Sequence, residues 1–248
     1  MTTIGILGAG PIGRNLAAAS AQLGHDVLIS NSRGPDTLGD LAELGSTVRA
    51  ATSSEAAMKG EIVIAAIQPA AIPHLPVSEL VGKVVLDTCN YYPRMWGGVK
   101  VADERMARDS QIPELDDEST TVSELLQAHL EGARVVKAFN HLSFEHIVGH
   151  ASPTGTPGRR ALAIAGDDAD GKRVATEFID AVGFDVVDLG PLSEGWRVQR
   201  GTPAYIYRFD AGELTRRASE ARRFGDLCEG ELGAMDVATL RYLGYLYM

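Results

Sequence analysis

The chain has 248 residues, of which 45% are hydrophobic and 23% are charged, which is enough apolar sequence for one substantial core. Its formal net charge of -10 at pH 7 disfavours binding to nucleic acid or to anionic membranes, because both polyanions would repel it. The two cysteines, Cys89 and Cys228, are too few and too far apart for a disulfide framework or a clustered metal site, which indicates a reducing, cytoplasmic setting.

The first apolar run, residues 4–7, has no basic segment before it and ends in glycines, unlike a signal peptide. No stretch reaches the roughly 18 apolar residues that a membrane helix needs. We therefore expect neither a secretion signal nor a membrane partner.

Short runs of β-branched and aliphatic residues, each bounded by turn residues, predict buried parallel strands. They cover residues 4–7, 27–29, 62–67, 84–86, 134–138, 161–165 and 186–189. Helical patterns lie between them, most clearly at residues 12–23, 38–44, 121–130 and 171–182. This alternation predicts an α/β fold with a doubly wound, mostly parallel sheet and right-handed crossovers.

A glycine-rich turn follows the first predicted strand. Its pattern, G-x-G-x-x-G, consists of Gly8, Ala9, Gly10, Pro11, Ile12 and Gly13. A position after a strand and at the start of a helix is the context of a dinucleotide site. We expect Gly8 to make the tight turn, Gly10 to leave room for a diphosphate, and Gly13 to let the helix lie close to the strand. The alternative is a strand-to-helix turn that binds no ligand.

The end of the second predicted strand distinguishes two dinucleotides. An NAD site would have Asp or Glu roughly 20 residues after the glycines. Here Ser30, Asn31, Ser32 and Arg33 take the place of the acid, and Asp26 opens the strand instead of closing it. Guanidinium and hydroxyl groups complement a 2′-phosphate, so the sequence favours NADP. In the alternative interpretation Arg33 is a solvated loop residue.

Turn residues follow the runs at 62–67 and 84–86. The first run ends at Ile67 and is followed by Gln68, Pro69 and Ala70, and the second is followed by Asn90 and Tyr91. Ligands of open α/β sheets bind at the carboxyl ends of strands, so we expect these residues to line a nicotinamide pocket. Pro and Asn are also common in turns without a ligand, and both interpretations stand at this point.

Residues 90–118 break the alternation of strands and helices, which predicts a lid, a binding loop or a disordered insert. After residue 190 no strand pattern remains, and residues 212–248 predict two helices. The final segment, 238–248, gathers the large side chains of Leu240, Tyr242, Leu243, Tyr245, Leu246 and Tyr247. We expect a homodimer through this end, with packing on the chain's own sheet as the alternative.

Five segments carry a family resemblance: IGILGAGPIG, ISNSRGP, VVKAFNHLS, GDDADGK and VDLGPLSEGWRV. In this order, within about residues 2–203, they resemble segments of the F420-dependent NADP oxidoreductase family. More distantly, they are similar to the NADPH-binding domains of six-transmembrane ferric reductases. The resemblance implies hydride transfer between NADPH and a deazaflavin or flavin, with coenzyme F420 expected first and FMN or FAD as alternatives. Such a step depends on orientation and exclusion of water, not on a side-chain nucleophile.

The resemblance also implies residues of the pocket. The family segment that borders the nicotinamide and the deazaflavin corresponds here to Ala138, Phe139, Asn140 and His141. The turn that borders the second cofactor corresponds to Gly190, Pro191 and Leu192. We expect His141 to be a polar pocket residue, with acid–base catalysis as the alternative, and Lys137 to pair with a neighbouring acid.

The acidic cluster at residues 166–170 precedes a predicted helix, so we expect it to cap that helix and not to bind a metal. The loop at 90–118 and the helices beyond residue 210 are longer than in compact members of the family. A second site reshaped by these segments for another flavin, or for a small carbonyl or imine, is the alternative.

These observations divide the chain into two parts. Residues 1–140 are predicted to form an NADP-binding domain of Rossmann type, and residues 141–248 to add two strands to the sheet, then helices, and to complete the second site. The leading hypothesis is an NADP-dependent oxidoreductase. One alternative is an NADPH-dependent reductase of small carbonyl or imine compounds. Lys137 and Asn140 are faintly similar to residues of the β-hydroxyacid dehydrogenases, which are enzymes of this kind. The other is a non-catalytic NADP sensor.

Overall fold

The computed structural model describes residues 1–93, 108–226 and 231, with the backbone of residues 95–96 and 99–100. The strands in these residues are β1 (Thr3–Leu7), β2 (Asp26–Ser30), β3 (Val48–Ala50), β4 (Ile62–Ala65), β5 (Val84–Asp87), β6 (Met95–Trp96), β7 (Val99–Lys100), β8 (Arg134–Lys137), β9 (Ala161–Gly166) and β10 (Asp185–Asp188). The α-helices are α1 (Pro11–Gln22), α2 (Ser53–Lys59), α3 (Val77–Leu80), α4 (Pro113–Asp116), α5 (Val122–His129), α6 (His146–Gly149), α7 (Ala169–Val182) and α8 (Ala211–Ser219).

Among the described residues, eight strands form one sheet in the order β10-β9-β8-β5-β4-β1-β2-β3. The pairs from β3 to β8 are parallel, as predicted. The pair β8–β9 is antiparallel, with Val136 opposite Gly166, and β10 is parallel to β9. Strands β9 and β10 are thus parallel to each other but run opposite to the other six strands. The prediction of parallel strands was wrong for these two. A parallel pair needs a crossover connection, whereas residues 138–160 contain only the four-residue helix α6 and return the chain at the edge where β8 ends.

The predicted helix at residues 38–44 was also wrong. Two short 3₁₀ turns, Pro35–Thr37 and Ala42–Leu44, occupy this region. Gly39 between them has a φ of +67°, and the side chain of Asp40 accepts the backbone N–H of Ala42 at 2.8 Å, which competes with a continuous helix. The three-residue spacing of Leu38 and Leu41 reflects their burial, not an α-helix.

Helices cover both faces of the sheet. On one face, α1 and α7 bury Leu16, Ala17, Ala175, Phe178 and Ile179 against strand residues such as Ile4, Ile6 and Ile29. On the other face, α2, α3 and α5 bury Ala56, Ala57, Leu80, Val122 and Leu126 against Leu7, Val63 and Val85. Because both faces are covered, the carboxyl edge of the parallel strands is the place that the fold leaves for a ligand.

The carboxyl-terminal segment was predicted to contain two helices. Helix α8 confirms the first of them. The segment 238–248, and with it the expected dimer contact, lies outside the described residues. In the part of the chain that the structure describes, no helix is long and apolar enough to cross a bilayer.

Candidate active site

A cavity of about 590 Å³ lies at the carboxyl edge, between the turns that follow β1 and β4. The strand order reverses between these two strands, and such reversals are the usual ligand sites of open α/β sheets. The volume lies in the range of small-molecule sites. The lining consists of Gly10, Pro11, Ile12, Ala66, Ile67, Gln68, Thr88, Cys89, Asn90, Tyr92, Arg108, Asp109, Asn140, Leu142, Ser143, Phe144, Tyr205 and Ile206.

The glycine turn has the geometry that a diphosphate requires. Gly8 has a φ of +114°, and a Cβ there would lie 2.1 Å from the carbonyl oxygen of Ala66. A Cβ on Gly13 would lie 1.9 Å from the carbonyl oxygen of Gly8, so that a side chain would push α1 off the strand. A Cβ on Gly10 would meet no atom within 4 Å, which leaves open space in front of the free N–H groups of α1. These residues fit the diphosphate of a dinucleotide.

The turn after β2 is shaped by its own side chains. Asn31 donates to the hydroxyl of Thr37 at 2.9 Å and accepts the backbone N–H of Arg33 at 2.9 Å. The hydroxyl of Ser30, which we expected to face a phosphate, is buried and donates to the carbonyl of Ile6 at 3.1 Å, so this expectation was wrong. Ser32 and Arg33 are exposed and follow the end of β2, which pairs with β1 up to Leu7 and Ser30.

Two asparagines connect the turns after β5 and β8. Asn90 donates from Nδ2 to the backbone oxygen of Asn140 at 2.7 Å. The two Nδ2 hydrogens of Asn140 go to Asn90 Oδ1 at 3.1 Å and to the carbonyl of Val198 at 2.8 Å. Both donors of Asn140 are therefore engaged within the chain, and its role at the cavity is to orient Asn90 and fix the wall.

His141 lies behind the cavity, not in its lining. Its Nε2 accepts the backbone N–H of Ala163 at 3.2 Å, and burial, followed by the positive charges of Arg160 and Lys137, lowers its pKa to about 3. The histidine is therefore neutral at physiological pH and completes the hydrogen bonding of β9. This arrangement fits neither the expected pocket role nor acid–base catalysis.

Lys137 is also turned away from the cavity. Its ammonium is 3.0 Å from the carboxylate of Asp87 and also donates to the carbonyl of Cys89. Asp87 in turn accepts from the backbone of Cys89 at 2.8 Å and from the hydroxyl of Ser123 at 2.6 Å. The contact between Lys137 and Asp87 confirms the expected pairing with an acid. Because both charged side chains are almost fully buried, Lys137 forms a structural ion pair.

Other expected site residues also lie outside the cavity lining: Ala9, Pro69, Tyr91, Ala138, Phe139, Gly190, Pro191 and Leu192. Phe139 packs edge-on against Phe178 in the core, and Leu192 is buried beneath the sheet edge. Asp168 accepts the N–H of Gly171 at 2.6 Å at the start of α7, which confirms the capping role of the acidic cluster. No group of three or more potential metal ligands occurs among the described residues.

The far end of the cavity was not predicted from the sequence. It is formed by Tyr92, Arg108 and Asp109 from the long loop, by Leu142, Ser143 and Phe144 after β8, and by Tyr205 and Ile206. The loop is held there because the backbone N–H of Tyr92 donates to Asp109 at 2.7 Å, and burial raises the pKa of this carboxyl. The described part of residues 90–118 thus forms a wall of the site, as a binding loop would.

The glycine turn and the reversal of a doubly wound sheet define a Rossmann-type dinucleotide-binding protein. Residues 3–91 match the sequence model of the family described as NADP oxidoreductase, coenzyme F420-dependent. A solved structure of a hypothetical protein, SMa0349, from Sinorhizobium meliloti is 30% identical and superposes with a TM-score of 0.66 over 84% of this chain and 95% of that one. Residues 3–91 therefore resemble the NADP oxidoreductases of this family, and the match to SMa0349 extends over most of the chain.

Two further proteins are similar over much of the chain. A structure from Arthrobacter sp. FB24, described as an F420-dependent NADP-reductase, has a TM-score of 0.65 at 22% identity and covers 98% of this chain and 96% of that one, which shows a common fold. The metalloreductase STEAP3 of Rattus norvegicus is 26% identical over 198 residues, or 79% of this chain and 35% of its own length. The chain spans about half or less of the curated relatives that it matches.

Proposed function

We propose that the chain transfers a hydride between NADPH and a ring-shaped acceptor of the deazaflavin or flavin type, with coenzyme F420 as the first candidate. The observation that carries the proposal is the continuity of one cavity from the glycine turn to a compartment outside the dinucleotide motif. The first part fits the diphosphate and the nicotinamide end of NADPH. The second part offers apolar and aromatic walls to a second ring system.

The residues of the second compartment suit a flat ring. Leu142, Phe144 and Ile206 are apolar, and Tyr92 and Tyr205 add aromatic surface. When bound, NADPH supplies the hydride, and the protein's contribution is to hold two rings face to face without water between them. The Asn90–Asn140 pair supports this role because its hydrogen bonds fix a part of the cavity wall that both residues line.

A compartment of this kind favours an enzyme over an NADP sensor, which would need space for the dinucleotide alone. The alternative hypothesis, a reductase of small carbonyl or imine compounds in which Lys137 takes part, gains no support from the position of Lys137. This residue is buried with Asp87 and does not line the cavity.

The choice of dinucleotide rests on Arg33. We expect Arg33→Ala to weaken NADPH binding by about 1.5 to 3 kcal/mol, the scale of a charged hydrogen bond, and to leave NADH binding unchanged. Arg49→Ala is the matched control, because Arg49 is exposed on β3 and lies 3.5 Å from Asp26, at the start of β2. Equal losses for both dinucleotides would mean that Arg33 does not recognise the phosphate.

The acceptor is tested by measuring NADPH oxidation with coenzyme F420, FMN and FAD offered separately. We expect turnover with at least one of them, and fastest with F420. NADPH binding without turnover of any of the three would contradict the proposal.

A further inference from the structure

Two tyrosine hydroxyls meet in the wall of the second compartment. Tyr92 and Tyr205 are 113 residues apart in the chain, and their hydroxyl groups are hydrogen-bonded to each other. The two residues are 8% and 4% exposed, and both line the cavity. A buried polar pair therefore lies where the proposed acceptor would bind.

This pair has one hydrogen more than its mutual bond uses. Two hydroxyls carry two hydrogens, and the bond between them engages one. Within the part of the chain that the structure describes, neither hydroxyl has another hydrogen-bonding partner. A buried donor without an acceptor is costly, so the second hydrogen is available to an acceptor atom that a ligand in the cavity would supply.

Two guanidinium groups lie against the ring of Tyr92, whose backbone N–H is bound by the Asp109 carboxylate. The guanidinium carbon of Arg108 is 4.0 Å from the centre of the Tyr92 ring, and that of Arg200 is 5.4 Å from it. Cations at this distance stabilise a phenolic oxygen as its hydrogen leaves. Burial, followed by the neighbouring Tyr92, raises the pKa of Tyr205 well above its usual range, so that Tyr205 keeps its hydrogen at neutral pH.

We propose that the Tyr92–Tyr205 pair donates the proton that accompanies the hydride, an inference that rests on the proposed function. As the C–H electron pair of NADPH moves to the central ring of the acceptor, at C5 of a deazaflavin or N5 of a flavin, a tyrosine O–H bond breaks and an N–H or O–H bond forms elsewhere on the acceptor. The phenolic oxygen recovers a hydrogen from its partner tyrosine, and the pair regains its proton from water. NADPH, the acceptor and one proton thus give NADP⁺ and the reduced acceptor.

The proposal restricts the chemical class of the acceptor. The atom that gains negative charge must be a nitrogen or oxygen conjugated to the ring atom that receives the hydride. Ring nitrogens of deazaflavins and flavins meet this requirement. An isolated alkene does not, because it has no conjugated nitrogen or oxygen to take up the negative charge when the hydride adds.

The test compares Tyr92→Phe and Tyr205→Phe with the wild-type chain. Both substitutions keep the ring and remove only the hydroxyl. Tyr91→Phe is the matched control, because the Tyr91 hydroxyl donates to Asp116 at 2.8 Å and Tyr91 does not line the cavity. For each protein, NADPH oxidation is measured with F420, FMN and FAD, and the Kd for NADPH is measured by fluorescence titration.

We expect the cavity variants to lower kcat on the order of a hundredfold, the usual contribution of a positioned acid, and to keep the Kd for NADPH. The Tyr91→Phe control should retain the wild-type kcat. An active wild-type chain whose two cavity variants keep its kcat would overturn the role of the pair and leave the proposed function standing. A wild-type chain that turns over none of the three acceptors would overturn both.

Discussion

The burial of His141 predicts how the protein responds to acid. The residue is 1% exposed, and Nε2 of its imidazole accepts a backbone N–H from β9. Its pKa falls from the ordinary 6.5 to about 3, mainly because burial disfavours the charged ring. The unfolded chain therefore takes up this proton much more readily than the folded protein does.

The sign and size of the effect follow from this difference. Because the folded pKa is depressed, the stabilisation is fully present above pH 6.5 and is lost as the pH falls towards 3. A difference of about 3.5 pKa units corresponds to about 4 to 5 kcal/mol. Roughly 2 kcal/mol of this is lost by pH 5.

Urea unfolding of the wild-type chain and of His141→Gln between pH 7.5 and pH 5 measures this contribution. The amide oxygen of Gln can accept the same N–H without titrating. We expect the variant to be less stable at pH 7.5, and the gap between the two free energies of unfolding to narrow by about 2 kcal/mol at pH 5. If the difference between the two free energies of unfolding stayed constant over this range, His141 would not be a buried, neutral imidazole in the folded protein.

Two other sites give predictions of a different kind. Asp87→Asn or Lys137→Met alone should lower the free energy of unfolding by about 3 to 5 kcal/mol, and the double variant by less than the sum, in a urea double-mutant cycle. Gly13→Ala forces a Cβ against the carbonyl of Gly8 and should cost at least about 2 kcal/mol in the same assay. Gly10→Ala should leave stability within about 0.5 kcal/mol and weaken NADPH binding about tenfold, because its Cβ occupies only the space kept for the diphosphate.

Additive losses in the cycle would mean that the two buried charges do not depend on each other. A Gly10→Ala variant that binds NADPH like the wild-type chain would place the diphosphate elsewhere.

Features set by local physics were predictable from the sequence. The glycine turn needs only a strand, three glycines and a helix start, and Gly8 and Gly13 are where a Cβ would clash. The cap of α7 was predictable because Asp168 acts on an N–H three residues away. The helix predicted at 38–44 does not form, because the positive φ of Gly39 and the hydrogen bond from the Ala42 N–H to the Asp40 side chain interrupt it despite the helical spacing of the leucines.

Features that depend on distant contacts were not predictable. The direction of β9 depends on the path of residues 138–160, which carries no strong periodic signal. Tyr205 reaches the cavity through its bond to Tyr92, and the adjacent Ile206, at a φ of +70°, is held by a backbone bond to the carbonyl of His141. Thr88 and Cys89, by contrast, precede Asn90 directly in the sequence, so they could have been predicted together with it as lining residues of the cavity.

A crystal structure of the chain with NADP⁺ would locate the dinucleotide. We expect the diphosphate at the start of α1 in front of Gly10, the 2′-phosphate beside Arg33, and the nicotinamide in the cavity near Asn90, with its exposed ring face towards Tyr205. A dinucleotide bound away from the glycine turn, or with its adenine in the cavity in place of the nicotinamide, would contradict this expectation.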